Sequence, residues 1–96
     1  MEKLFTAQTD NADSSTVVAR GTELTVYAFG TFDTSTVKIQ VSPDGGTTWI
    51  DKSDVSFTSA DYQSLQLAAG VLIRGNLASV GGSSSVSLWL QGQGAD

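Results

Sequence analysis

From Thr34 to Ser42 the chain reads Thr-Ser-Thr-Val-Lys-Ile-Gln-Val-Ser, and the alternation within it decides the fold class. Successive side chains of an extended strand point to opposite faces, so Val37, Ile39 and Val41 share one side and Thr36, Lys38, Gln40 and Ser42 the other. Ser84 to Gln91 repeats the pattern with Val86, Leu88 and Leu90. Weaker strands are legible at Ser15 to Arg20, Glu23 to Phe29, Thr47 to Asp51, Val55 to Thr58, Tyr62 to Ala68 and Val71 to Ala78. Turns separate them at Arg20-Gly21, Gly30, Pro43 to Gly46, Ala69-Gly70 and Gly81-Gly82. No stretch of helical length carries apolar residues at three- and four-residue spacing. Many short strands punctuated by glycine predict an all-β chain: a single small β-sandwich, jelly-roll-like, or a partly open barrel. The expected core is Val37, Ile39, Val41, Val86, Leu88 and Leu90.

At 96 residues the chain has interior enough for one core. The body is expected at residues 15–91 and a flexible tail at 92–96. Residues 1–14 read either as an N-terminal arm that docks elsewhere or as an edge strand at Lys3 to Gln8 followed by a polar loop. As an arm, residues 1–13 would be removable with the β-fold left intact. Small domains commonly add disulfides, metals or oligomerisation to a modest core. The sequence has neither cysteine nor histidine, so disulfides, thiolate metal sites and the commonest general base are excluded, and oligomerisation is the remaining source of burial.

Ten acidic residues outweigh five scattered basic ones, Lys3, Arg20, Lys38, Lys52 and Arg74, for a net charge of −5. Phosphate neutralisation needs several cations on one surface, so neither nucleic acid nor an anionic membrane is an expected partner. Apolar runs such as Val71-Leu72-Ile73 are too short to span a bilayer, and no signal-peptide core follows Met1-Glu2-Lys3, which predicts a cytoplasmic product. The acids Asp10 and Asp13, and Asp51 and Asp54, do not match a calcium loop. Serine and threonine hydroxyls have no histidine to activate them, and no phosphate-binding glycine loop occurs. No cofactor, metal or catalytic residue is expected.

The sharpest motif is Ser42-Pro43-Asp44-Gly45-Gly46-Thr47-Thr48-Trp49. It resembles the Asp-box, S-x-D-x-G-x-T-W, of sialidase-like propellers and scattered β-proteins. The resemblance implies a structural hairpin at Ser42, Asp44, Gly46, Thr48 and Trp49: Asp44 accepts from turn amides, Gly46 takes a positive φ, and Trp49 returns to the sheet as an apolar anchor.

Opposite the apolar faces, alternation places Tyr27, Phe29 and Trp89 on second faces, with Leu72 and Arg74 similarly opposite Val71 and Ile73. With Leu4 and Phe5 of the N-terminal segment, these are the candidate interface residues, since aromatics and arginine are enriched where subunits meet. Covering loops or a carbohydrate-stacking platform are the alternatives for such aromatics.

The succession of a polar N-terminal stretch, Val37 to Trp49, Val71-Leu72-Ile73-Arg74-Gly75 and Val86-Ser87-Leu88-Trp89-Leu90 resembles small structural proteins of bacteriophage heads and tails. The resemblance, spanning roughly residues 20–91, implies a decoration, or cement, protein on the outer capsid surface of the virion. It would be assembled in the host cytoplasm as a homo-oligomer, a trimer by preference, with the major capsid protein as partner. A carbohydrate-binding module of a tail fibre or baseplate is the competing expectation.

Overall fold

The computed structural model describes residues 2–92, and of Ser53 and Asp54 the backbone alone. Its strands are β1 (Glu2–Gln8), β2 (Ala12–Asp13), β3 (Val17–Val18), β4 (Glu23–Thr31), β5 (Thr36–Ser42), β6 (Ile50–Phe57), β7 (Asp61–Gln66), β8 (Leu72–Ala78) and β9 (Ser85–Gln91). There is no helix among the described residues. One sheet runs β1-β9-β4-β7; the other runs β2-β8-β5-β6, with β3 also on β8. Every pairing is antiparallel. The chain is a small β-sandwich, as the alternation predicts.

β2 and β3 lie along the same neighbour, Ala12 opposite Leu77 and Val17 opposite Ile73. Between them the Ser14 N–H donates to the Gly75 carbonyl at 2.8 Å, and Ser14 Oγ accepts from the Gly75 N–H at 2.7 Å. They are one edge strand with an interruption. Counted so, the pairings nest: β1 with β9, β2–β3 with β8, β4 with β7, β5 with β6. The chain is therefore a long antiparallel hairpin whose tip is the turn at residues 43–49. It is rolled so that β4 meets β9 and β5 meets β8, which is the strand order of a jelly roll.

The inner faces close one core. β4 contributes Leu24, Val26 and Ala28, β9 contributes Val86, Leu88 and Leu90, and β7 contributes Leu65; from the other sheet come Val37, Ile39, Val55, Phe57, Ile73 and Leu77. Each large apolar side chain buried this way is worth roughly 1.5–3 kcal/mol, and only the inward positions of each strand collect it. Five of the six expected core residues are fully buried. Val41 is the exception: it packs half-buried at the end of β5, and the next residue, Ser42, is buried instead as part of the tip.

Two expectations about organisation change, and one choice between alternatives is decided. The N-terminal segment is the edge strand and not the arm: β1 pairs with β9 from Glu2 opposite Leu90 to Gln8 opposite Val86. Lys3 faces Trp89 while Phe5 faces Leu88, so one residue is extra, and this bulge turns the consecutive Leu4 and Phe5 both inward. The strands expected at 47–51 and 55–58 are one strand, β6, because Lys38 stands opposite Ser56 and Gln40 opposite Asp51, so a wide bulge accommodates the residues between. Gly30 lies within β4 and not in a turn. The chain reverses just after it, where the Ser35 N–H donates to the Phe32 carbonyl at 2.7 Å and both Ser35 Oγ and Ser84 Oγ donate to the same oxygen. The tail expected to fray lies, from residue 93 on, outside the described residues.

Candidate functional site

The seven candidate interface residues do not come together. Leu4 and Phe5 are buried in the chain's own core, which removes them as docking anchors. Leu72 and Arg74 lie on the outer face of the β8-containing sheet, while Tyr27, Phe29 and Trp89 lie on the outer face of the opposite sheet.

On the Arg74 side the polar groups are committed to one another. The Arg74 Nε–H donates to Gln40 Oε1 at 2.8 Å, the Gln40 amide donates to Asp51 Oδ1 at 2.8 Å, and the Asn76 amide donates to Asp13 Oδ1 at 2.8 Å. The guanidinium also lies 3.5 Å from Asp13 and 4.2 Å above the Trp49 ring. Trp49 thus rests half-buried beneath Arg74 of β8, its indole N–H donating to the Gly46 carbonyl at 3.1 Å. Alternation cannot reveal this pairing, because it arises only when β5 and β8 are side by side.

The Asp-box hairpin closes as its residues imply. Asp44 Oδ1 accepts from the Thr48 N–H and from the Ser42 hydroxyl, at 2.8 and 2.9 Å, and Ser42 Oγ accepts from the Gly46 N–H at 2.8 Å. Gly46 has φ of 100°, as the turn requires. The Thr48 backbone and side chain and then the Ser42 hydroxyl hold the Asp44 carboxyl below its ordinary 3.8, by bonding to its charged form. A folded value below the unfolded one means this stabilisation is complete above pH 3.8 and is lost as the pH falls through the depressed folded value. Asp44→Ala should therefore melt below the parent at neutral pH, and the gap should close in strong acid. Thermal melts across this range test it; a gap unchanged down to about pH 2 would remove the carboxylate's charge from the explanation.

On the opposite sheet, register places Tyr27 between Trp89 and Tyr62, with Phe29 one outward step along β4. The rings touch: Phe29 meets Trp89 edge to face at 5.0 Å between centroids, and Tyr27 meets Tyr62 at 6.1 Å. Such pairs add about 0.5–1.5 kcal/mol each beyond area burial. The Lys3 ammonium lies 4.6 Å over the Trp89 ring, and the Tyr27 hydroxyl donates to Gln91 Oε1 at 2.7 Å. Tyr62 is 69% exposed and Phe29 37%, whereas Trp89 is half-buried with its Nε1 shielded and without an acceptor. The sequence pattern had not singled out Tyr62; its signal is the alternation Tyr62, Ser64, Gln66 outward with Leu65 inward.

Among the described residues no three acidic side chains converge as a metal site would need, and no helix is long and apolar enough to cross a membrane. Two surface depressions are present, one along Thr22, Glu23 and Gln66 to Ala68 and the other beside Lys38, Asp51, Lys52, Val55 and Ser56. What the molecule presents chemically is one aromatic face and one self-satisfied polar face. Set against known protein families, curated proteins and solved structures, the chain matches none.

Proposed function

We propose that the chain is a bacteriophage virion structural protein, a decoration protein that binds the outer capsid surface as an oligomer through the aromatic face of its β1-β9-β4-β7 sheet. The observation that carries the reading is the contiguous row Phe29, Trp89, Tyr27 and Tyr62 on the outer sheet face, with Phe29 and Tyr62 exposed. Aromatic side chains with an apolar body and polar tips are the anchors of protein interfaces. The resemblance of residues 20–91 to phage structural proteins supplies the partner, and a compact β-sandwich suits a part that must stiffen a shell.

A tail-fibre carbohydrate module would use the same rings differently. Sugar stacking needs an open ring face, and the Trp89 face is occupied by the Lys3 side chain, which favours a protein contact. The test is co-sedimentation of the purified protein with capsids of its phage that have been stripped of it. Binding is expected, with a loss of at least tenfold in Phe29→Ser/Tyr62→Ser, whose exposed rings leave the core untouched. Undiminished capsid binding by that variant would overturn the assignment of the face. Absence of the protein from purified virions, with glycan binding that depends on Tyr62, would replace the reading by the carbohydrate module.

A further inference from the structure

A β-sandwich has four sheet edges, and three of these are guarded. β1 carries two register shifts, a lysine and a positive φ of 49° at Ala7. β6 carries the wide bulge and Lys52, and β2–β3 is broken into two-residue pieces. Bulges, lysines and short strands are the devices that keep sheet edges from pairing with another chain. β7 has none of them. Its six residues, Asp-Tyr-Gln-Ser-Leu-Gln, pair with β4 in an unbroken register from Asp61 opposite Ala28 to Gln66 opposite Glu23, and they contain neither lysine nor proline.

The direction of its free backbone groups follows from that register. The Leu67 N–H donates to the Thr22 carbonyl, so the alternating pairs Leu65 with Leu24 and Gln63 with Val26 are those that exchange hydrogen bonds across the ladder. Tyr62, Ser64 and Gln66 then turn their N–H and C=O groups away from β4. In agreement, the Tyr62 N–H donates to the Asp61 carboxylate at 2.8 Å and not to β4. The side chains of the same three residues are exposed on the aromatic face.

We infer that β7 is a self-association edge: two copies of this chain pair β7 with β7 antiparallel about a twofold axis at Ser64, joining two four-stranded sheets into one of eight. The second copy is the occupant because the edge is its own complement. With Ser64 opposite Ser64 of the second copy, Tyr62 falls opposite Gln66 of that copy, every outward backbone group meets a partner of the right kind, and no like charges are opposed. The Tyr62 N–H exchanges its local carboxylate for the neighbouring strand. The two aromatic faces become one continuous surface, with Tyr62 of each copy near the seam. The result is a dimer in place of the trimer that the phage resemblance implies, and it stands whether or not the capsid reading does.

An edge of six residues is small beside a standard interface, so the dimer should dissociate at about micromolar concentrations. Sedimentation of the intact chain is expected to move with concentration from 10.0 kDa to twice that mass. Ser64→Pro removes an N–H that β4 does not use and should hold the protein at monomer mass with its β-sheet circular dichroism unchanged. If that variant fails to fold, Ser64→Lys sets two ammonium groups opposite each other at the axis and should weaken association severalfold. In the parent, amide hydrogen exchange at Ser64 and Gln66 should slow as concentration rises while Leu65 stays protected throughout. A monomer at millimolar concentration, a trimer, a dimer indifferent to both substitutions, or fast exchange at Ser64 in the dimer would each overturn the inference.

Discussion

Gly75→Leu is expected to abolish the cooperative fold, and Gly75→Ala to lower the melting temperature by roughly 10 °C. Gly75 sits in β8, between the buried Ile73 and Leu77, and faces the opposite sheet. A Cβ there would stand 2.5 Å from Leu88 Cδ2 and 3.1 Å from Phe5 Cε2. Its backbone is ordinary strand, so the requirement is for space and not for a special φ. Glycine weakens a strand interior, and its presence here leaves room for the side chains of Leu88 and Phe5. One added methyl must push the end of Leu88, a strain of about 1–3 kcal/mol, whereas a leucine adds four heavy atoms to space already filled by Phe5 and Leu88. Because the neighbour at closest approach is a flexible tip, Gly75→Ala with Leu88→Val should recover much of the loss, a coupling that thermal melts of the double-mutant cycle would measure. An alanine variant melting with the parent would mean that the sheets are further apart than these distances state.

What was legible in the sequence divides along the line between local and non-local physics. Strict alternation marks β5 and β9 because both are regular and buried on one side, and the tip is legible because Ser42, Asp44, Gly46 and Thr48 are close enough in sequence for one tight turn to bond them to each other. Bulges erase the signal. Leu4 and Phe5, adjacent and both inward, contradict a period of two and so resemble an anchor on an arm; β6, with its extra residues, resembles two strands. The faces were beyond reach for another reason. Alternation says that Tyr27, Trp89 and Arg74 leave the core, but only the order β9-β4-β7 gathers Tyr27, Tyr62 and Trp89, and only β5 beside β8 lays Arg74 over Trp49 and against Gln40. Gly75, unremarkable among ten glycines, acquires its role from Phe5 and Leu88 across the sandwich.

Those long-range contacts make the N-terminal strand indispensable, and deletion of residues 1–8 is expected to leave a chain without cooperative structure. β1 is an edge, yet it supplies two of the seventeen buried hydrophobic side chains among the described residues and covers the outer side of β9. Its loss uncovers Leu88 and Gly75 where Phe5 packed, strips β9 of half its pairing and converts a strand that carries Val86, Leu88 and Leu90 into an open edge. Truncating Leu and Phe side chains in cores costs about 2–5 and 3–5 kcal/mol respectively, and their sum alone rivals the 5–15 kcal/mol that holds a typical domain together. The exposed pairs that go with them, Glu2 to Arg20 at 3.5 Å among them, add little. Leu4→Ala and Phe5→Ala each separately should shift the denaturant midpoint by a large fraction of its value, while Glu2→Ala should leave it nearly unmoved. The truncated chain should lack the sheet signal in circular dichroism and aggregate through β9, since an unprotected apolar edge recruits other strands. If it instead retained the parent's spectrum and melt, β1 would be a detachable arm, and Leu4 and Phe5 would be free to engage a neighbour.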